Sequence, residues 1–596
     1  MPDMKFLTTY LFLVLLFATT KQAHCQDNKW LHSLKPEVLP LDNLDPFQEP
    51  VSSSWLLAGN VSADKDVKNQ LKPENGSGVL VFKPKQKGSK TLQTKFEHGD
   101  IDLNLDFLLS KTASFAILLH GRYEVKISDE WMQNGNDACK APGLWQKLSV
   151  RFKAPVYDLN GSKIKDAVLE EVMINGQQVK KSAAISVSQH SPVKNEAVSG
   201  PLIIQGFNSP FAIRNISYKV YKKNEIKLTG VRFAVYAGLH KNTDTLQNLK
   251  PKRTGSTDTI SHLVGDKKSQ LVFEGFAEIP TDGEYLFQLT AGGGAWLFID
   301  GKLMIENKGS RDFERAFYGK HYLKKGRFPF RIVYSNSDEC LVVRYEGPQI
   351  PWHALTTAAS VRLSEKFAPL EYLVKNKPVL QRGFMLNHAV VNPYIAAVGL
   401  PVDAHLGINY AYDMKTYSLA AVWHGKYIDV SNMWTERGEK QLEIPLGAKL
   451  ELPGKPIISN NLFENKLWPD SVQAPEGVYT ERGYKLDLQG FPVFYYTLNT
   501  TSVEDSFYPN KNKKGLIRQL KISNVKGIAY CLLAEGLVIE KSGKGNFTID
   551  DKKYYITGLE TSIAEPEIKH SADGDKLILT LPEQKENITI KCEIIW

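Results

Sequence analysis

Asp100-Ile101-Asp102-Leu103-Asn104-Leu105-Asp106-Phe107 alternates without a break, polar at even positions and apolar at odd ones. A strand turns successive side chains to opposite faces, so this run gives one face to a core and keeps one polar. Similar runs surround it. Gly78-Val79-Leu80-Val81-Phe82 reads as a short buried strand, and Phe115 to Leu119 and Leu144 to Phe152 as further ones. Pro201-Leu202-Ile203-Ile204-Gln205-Gly206 and Ile213-Arg214-Asn215-Ile216 close the block. Many short strands at regular spacing, with almost no helical period, predict a jelly-roll β-sandwich over residues 51–225.

The stretch His120-Gly121-Arg122-Tyr123-Glu124-Val125-Lys126-Ile127-Ser128-Asp129 carries the candidate chemistry. Read as one strand, it points Tyr123, Val125 and Ile127 to a core and sets His120, Arg122, Glu124 and Lys126 in a row on the other face. Antiparallel sheets often leave such a row in water. In a curved sheet the same groups line a ligand-sized hollow. Both readings stand on the strand alone.

The 596 residues suggest three or four domains at roughly 150 each. The net charge of +9 is spread along the chain, too diffuse for the basic stripe that nucleic acid demands. Lys5 followed by the apolar run Phe6 to Ala18, with Ala23-His24-Cys25 after it, reads as a leader cleaved after residue 25, so a periplasmic or secreted protein is expected. Acylation of Cys25 is the rival reading, though Gln22 and His24 fit a lipid-attachment box poorly. No later segment is apolar for the ~18 residues of a transmembrane helix. Residues 26–50, with Pro36, Pro40 and Pro46, read as a linker or an edge-hugging arm. Cys139, Cys340, Cys531 and Cys592 lie too far apart for a zinc or haem spacing, and a Cys531–Cys592 disulfide is one possibility.

Thr94 to Phe107, Gly121 to Asp129, Ala141-Pro142-Gly143-Leu144-Trp145-Gln146 and Ile213 to Ile216 resemble the 3-keto-disaccharide hydrolase family, over about residues 50 to 222. The resemblance implies a concanavalin-like sandwich acting on glycosides whose carbon 3 is a ketone. The ketone acidifies the hydrogen on carbon 2; a base removes it, and the glycosidic oxygen leaves carbon 1. Such a site needs a base and a cation for the enolate oxygen. On that reading Glu124 is the base, Arg122 or Lys126 steadies the oxyanion, and His120 and Lys126 contact the sugar. Trp145, on the polar-facing parity of its strand with Lys147, Ser149 and Arg151, either stacks on a pyranose or packs on a neighbouring loop. No metal and no cofactor is expected.

The chain departs from the family at several places. Ser114-Phe115-Ala116 stand where an Asn-Ser-Gly run is usual, Asn104 replaces a common glutamate, and Lys126 a glutamine. Only Met132 to Lys140 remain of a longer loop, and Gln205-Gly206-Phe207-Asn208 lacks the usual histidine. Two functions therefore stand: an enzyme cleaving 3-keto sugars, or a glycan-binding protein whose sandwich has lost its chemistry.

A second domain is expected over 228–363. Ser269 to Ile279, the turn Thr281-Asp282-Gly283, Glu284 to Thr290, and the hairpin Ala295 to Ile305 with its Asp300-Gly301 turn resemble a protective-antigen β-barrel module, which implies glycan binding. Gly292-Gly293-Gly294 stand where calcium-dependent members carry an Asp pair, so calcium is discounted. The third region, 364–596, opens with a helix-like stretch, Ser364 to Val374, and turns β-rich. It resembles domains that accompany periplasmic cytochromes, and an accessory subunit docking through this region onto a periplasmic sugar-oxidising, electron-transfer complex is the third reading, with other periplasmic sugar-degrading proteins as expected partners. His388, His405 and His424 are read as structural. The ligand expected throughout is carbohydrate, an oligosaccharide or an oxidised disaccharide.

Overall fold

The computed structural model describes residues 33–49, 51–85, 90–128, 138–158, 160–195, 197–222, 224–240, 246, 248–309, 315–360, 370–402, 407–434, 442–462, 468–469 and 479–596. The expected leader, the loop residues 132–137 and positions 364–369 of the helix-like stretch lie outside them; the rest of that stretch contains the strand Glu371–Tyr372 and no helix. The described chain is almost entirely antiparallel sheet. It divides into two compact units: Met1–Pro36 with Tyr221–Glu365, and Glu37–Val220 with Lys366–Trp596.

In the second unit, a larger sheet runs Gln177–Ala184, Val168–Ile174, Trp145–Lys153, Asp100–Leu109, Phe211–Tyr221, Lys72–Phe82 and Trp55–Ser62. It faces a smaller one ordered Thr91–His98, Gly200–Gly206, Ser114–Leu119 and Tyr123–Ser128. The alternation of Asp100–Leu109 does what the sequence predicts: Ile101, Leu103, Leu105 and Phe107 are all buried in one shared core with Phe115, Ile117, Leu202 and Ile204 from the facing sheet. Phe115 and Phe211 stack across it with ring centroids 4.7 Å apart. Each such side chain stabilises the fold by about 1.5–3 kcal/mol. The Pro-rich arm lies along this sandwich: Glu37–Val38 pairs with Phe211–Tyr221, Phe47 bridges Thr94, and Leu39, Leu41 and Phe47 are buried.

The stretch from His120 is not one strand. His120 and Gly121 take positive φ, 57° and 69°, and the Arg122 N–H donates to Leu119 O at 3.0 Å, which makes a type I′ turn joining Ser114–Leu119 to Tyr123–Ser128. Pairs of positive-φ residues give the twist that hairpin strands need, and the Gly tolerates it without cost. The alternation therefore begins at Tyr123.

Part of the outer face of the larger sheet is apolar as well, beside the polar row of Asp102, Asn104, Ser149 and Arg151. Ala58, Val61, Leu71, Val79, Val81, Leu108, Trp145 and Ala212 form a second buried cluster. The C-terminal region joins there. Trp145 N–H donates to Lys552 O (3.0 Å), Tyr555 Oη to Pro142 O (2.9 Å), and Arg214 Nη2 meets Asp551 Oδ2 at 2.7 Å. A Cβ at Gly143 (φ +81°) would stand 2.3 Å from Tyr555 Oη, so the junction needs this glycine.

The C-terminal region builds on sheets of its own, among them Tyr479–Leu486, Pro492–Leu498, Thr501–Pro509, Gly515–Ser523, Ile588–Ile595, Tyr554–Thr561, Asn546–Ile549 and Ile539–Gly543 in that order. Arg518 holds Asp505 in its interior through two bonds of 3.1 and 2.8 Å. Cys531 and Cys592 are buried free thiols, so the disulfide considered from sequence is not formed.

The other unit pairs Arg253–Ser256, Lys227–Ala237, Ser269–Ile279, Gly326–Asn336, Gly294–Ile299 and Lys302–Lys308 in one sheet, and Phe317–Leu323, Gly283–Ala291, Leu341–Gly347 and Ile350–Ala354 in another. Asp300 and Gly301 take positive φ, as their turn requires. The Gly292 to Gly294 run is there for close approach: a Cβ at Gly293 would lie 2.1 Å from Ser335 O.

Candidate functional site

Strand register assembles the outer face of the smaller sheet in rows. Gln93, Ile203, Leu118 and Glu124 are successive cross-strand partners, and so are Thr91, Gln205, Ala116 and Lys126. Ala116, Leu118 and Ile203 are fully buried, with Glu124, Lys126 and Gln205 along their border. The Gln205 side-chain oxygen is buried without a hydrogen-bond partner among the described residues.

Glu124 does not stand alone. Its Oε2 accepts from Ser188 Oγ and lies 3.0 Å from His190 Nδ1. The Glu124 side chain is 15% exposed and that of His190 63%, so the carboxylate is shielded while the imidazole reaches solvent. A proton on Nδ1 directed at Glu124 leaves Nε2 with the lone pair, the arrangement of a general base held by a carboxylate. The Phe207 ring lies beside both groups, 6.4 Å from the His190 ring and 5.5 Å from Lys126 Nζ.

His120 and Arg122 have other tasks. Because the turn breaks the alternation, His120 points inward, fully buried beside His98, Tyr123 and Phe152. Its backbone N–H donates to His98 Nε2 at 2.8 Å, and His98 Nδ1 pairs with Gly99 O. Burial holds the His98 imidazole down to about 3, so it is neutral at ordinary pH. Arg122 is 5% exposed, and its guanidinium serves backbone oxygens: Nε donates to Asn195 O and Nη1 to His120 O, both at 2.6 Å. Neither residue is on the outer row, which corrects the sugar-contact role expected for His120 and the oxyanion role expected for Arg122. Arg122 instead pins the segment that carries Ser188 and His190. That segment is tied to the turn twice more, by Ser188 N–H to Arg122 O (2.9 Å) and Ser191 Oγ to Gly121 O (2.8 Å).

Trp145 keeps the parity read from sequence but not the exposure. It is 5% exposed, with the Arg214 guanidinium 4.0 Å above its ring, and belongs to the cluster under the C-terminal region. It has no open face for a sugar.

Sequence reasoning missed His190 because it sits in a polar stretch without periodicity, Gln189-His190-Ser191. Among the described residues no three His, Cys, Asp or Glu side chains group as metal ligands, and no helix is long and apolar enough to cross a membrane.

Comparison with known proteins finds that residues 55–219 match the 3-keto-alpha-glucoside-1,2-lyase-like domain family and residues 232–348 the PA14 domain family. No curated protein matches the chain. Similar solved structures include a Parabacteroides distasonis protein provisionally titled a glycosyl hydrolase, 19% identical, covering 31% of this chain and 92% of its own at a TM-score of 0.22. A second from that organism is 15% identical over 31% of this chain and 99% of its own, TM-score 0.21. The β-glucosidase of Kluyveromyces marxianus is 19% identical over 20% of this chain and 15% of its own, TM-score 0.15.

Proposed function

We propose that the chain is an exported carbohydrate-active enzyme that cleaves 3-keto glycosides by elimination, with the chemistry on the outer face of the smaller sheet. The observation that carries this is the Glu124–His190 pair at 3.0 Å, in a domain that matches the 3-keto-alpha-glucoside-1,2-lyase-like family. His190 Nε2 takes the proton from carbon 2 of the sugar. The electron pair of that C–H bond forms the carbon 1–carbon 2 double bond, and the glycosidic oxygen leaves carbon 1 and takes up the proton from His190. Glu124 is a positioning residue that fixes the tautomer and stabilises the imidazolium. Lys126 offers its charge to the oxygen on carbon 3 as it becomes an enolate, and the half-buried Phe207 beside it receives the apolar face of the ring. Arg122 acts at one remove, by holding the segment that carries His190.

The test is turnover of 3-keto-trehalose by the purified chain, followed as release of glucose. His190→Ala should lower kcat by about 10²–10⁴-fold, the usual contribution of a general base. Glu124→Gln should lower kcat with little change in KM. Turnover that His190→Ala leaves intact overturns the assignment. Binding of the keto sugar without any turnover supports the glycan-binding reading in its place.

A further inference from the structure

On the far side of the sandwich from Glu124, a cleft of about 490 Å³ opens where the larger sheet meets the C-terminal region. That lies within the roughly 300–1,000 Å³ typical of small-molecule sites. One wall is the end of the hairpin formed by Trp55–Ser62 and Lys72–Phe82 with its connecting loop; the other is the hairpin formed by Ile539–Gly543 and Asn546–Ile549, with Tyr555 and Thr557 behind it.

The lining is polar and balanced in charge. Asp64, Asp66, Glu74 and Glu540 face it, and so do Lys65, Lys72, Lys541 and Lys552, with hydroxyls and amides between them. One hydrogen-bonded chain crosses from wall to wall. Thr548 Oγ1 donates to Glu540 Oε2 (3.2 Å), Lys552 Nζ donates to Glu540 Oε1 (3.1 Å) and to Asn60 Oδ1 (3.3 Å), and Asn60 Nδ2 reaches Glu74 Oε2 at 3.4 Å. Lys552 is only 3% exposed, so its ammonium is spent inside this chain while the rims of Glu540 and Glu74 stay open to a ligand.

The backbone that delivers Lys552 is strained. Asp550, Asp551 and Lys552 hold φ of 53°, 52° and 61° in succession, a left-handed turn built without glycine. Strain of this kind persists where surrounding contacts over-determine it. Here those contacts are Asp551 with Arg214, the Lys552 carbonyl with Trp145 N–H, and the Lys552 ammonium in the cleft.

We infer that this cleft binds a short neutral oligosaccharide, independently of the chemistry at His190. Equal numbers of acids and lysines give no net attraction for an anion or a cation. Carboxylates alternating with ammonium, amide and hydroxyl groups instead match vicinal sugar hydroxyls, each both donor and acceptor.

The test is calorimetric titration of the full chain with maltotriose, cellotriose and laminaritriose, with two charged probes of similar size, trigalacturonate and the fully deacetylated chitosan trimer, and with the zwitterionic tripeptide triglycine. At least one neutral trisaccharide should bind. Glu74→Ala, at an exposed position, and Thr548→Trp, which fills the cleft, should each weaken it at least tenfold, while Glu124→Gln and His190→Ala leave it unchanged. The proposal is overturned if no neutral sugar binds, if a charged probe or the tripeptide binds more tightly than any of them, or if Glu74→Ala leaves the affinity as it was.

Discussion

Glu443 gives the sharpest physical test of the C-terminal region. It stands just before the strand Ile444–Leu446, 1% exposed, and neither carboxyl oxygen has a hydrogen-bond partner among the described residues. The carboxyl lies flat on Gly383, where a Cβ would come within 2.2 Å of Oε1. Burial disfavours the anion and pushes Glu443 up from 4.5 to about 8. The sign follows from proton counting. Between pH 4.5 and about 8 the folded chain keeps a proton that the unfolded chain has released, so stability is complete below pH 4.5 and is lost as pH rises toward 8. At about 1.4 kcal/mol per pH unit, the loss between pH 5 and pH 8.5 is about 4 kcal/mol. Glu443→Gln imitates the protonated acid and does not titrate. In a region of this size, about 2–4 °C of melting temperature accompany each kcal/mol, so the wild-type transition should fall behind that of Glu443→Gln by about 8–15 °C across this range. Scanning calorimetry of both chains at half-unit pH intervals measures the gap, and other titrating groups cancel in the difference. A gap that stays constant from pH 5 to pH 8.5 would refute a dry carboxyl at this position.

Four further outcomes are expected. Arg518→Leu strands the Asp505 carboxylate in the interior and should cost about 3–5 kcal/mol, most of it recovered when Asp505→Leu is added, as denaturant melts of the three variants will show. Burial pushes the Cys531 thiol up to about 12 and Cys592 to about 11, so these two, with the buried Cys139 and Cys340, should react with a thiol reagent only after denaturation. Gly143→Ala introduces both a clash with Tyr555 and an unfavourable φ, and should open the junction with the C-terminal region to limited proteolysis while the sandwich stays folded. Arg122→Lys loses the guanidinium's shared bonds to Asn195 O and His120 O, so amide exchange over 188–195 should quicken and kcat on the keto sugar should fall together.

The strands were legible because a period of two is a local property. Asp100–Leu109 shows it in sequence and buries Ile101, Leu103, Leu105 and Phe107 in the structure. The Asp300-Gly301 turn was legible for a similar reason, since the residue pair itself dictates the conformation. His120-Gly121 carries the same kind of signal, a residue tolerant of positive φ followed by glycine, but an apparent alternation continuing through it masked the turn. Trp145 failed for a different reason. Its parity was correct, and what covers it is distant in sequence: Arg214 lies over its ring and the Lys552 carbonyl takes its backbone N–H, which no local pattern can reveal. His190 is the hardest case, because its role depends on a bond to Glu124, sixty-six residues away, and on a segment with no period at all.

The two faces of the sandwich account for where chemistry can lie. Part of the outer face of the larger sheet is apolar and covered by the C-terminal region, which uses Trp145 and Arg214 as structural contacts and has the polar cleft at its margin, while Asp102, Asn104, Ser149 and Arg151 make the rest of that face polar. On the smaller sheet Ala116, Leu118 and Ile203 are buried, and their border is Glu124, Lys126, Gln205 and Phe207, groups that a purely structural surface would not need to bring together. A carboxylate only 15% exposed yet bonded to an imidazole 63% exposed is an uneven division: the charge is protected and the base is presented. A surface salt bridge formed for stability would gain about 0–1 kcal/mol and require no backbone clamp. Here a buried arginine is committed to carbonyl oxygens so that the segment bearing that imidazole stays in place. The placement of Arg122 is therefore a stronger argument for a working histidine than a polar row on a strand was for a working glutamate.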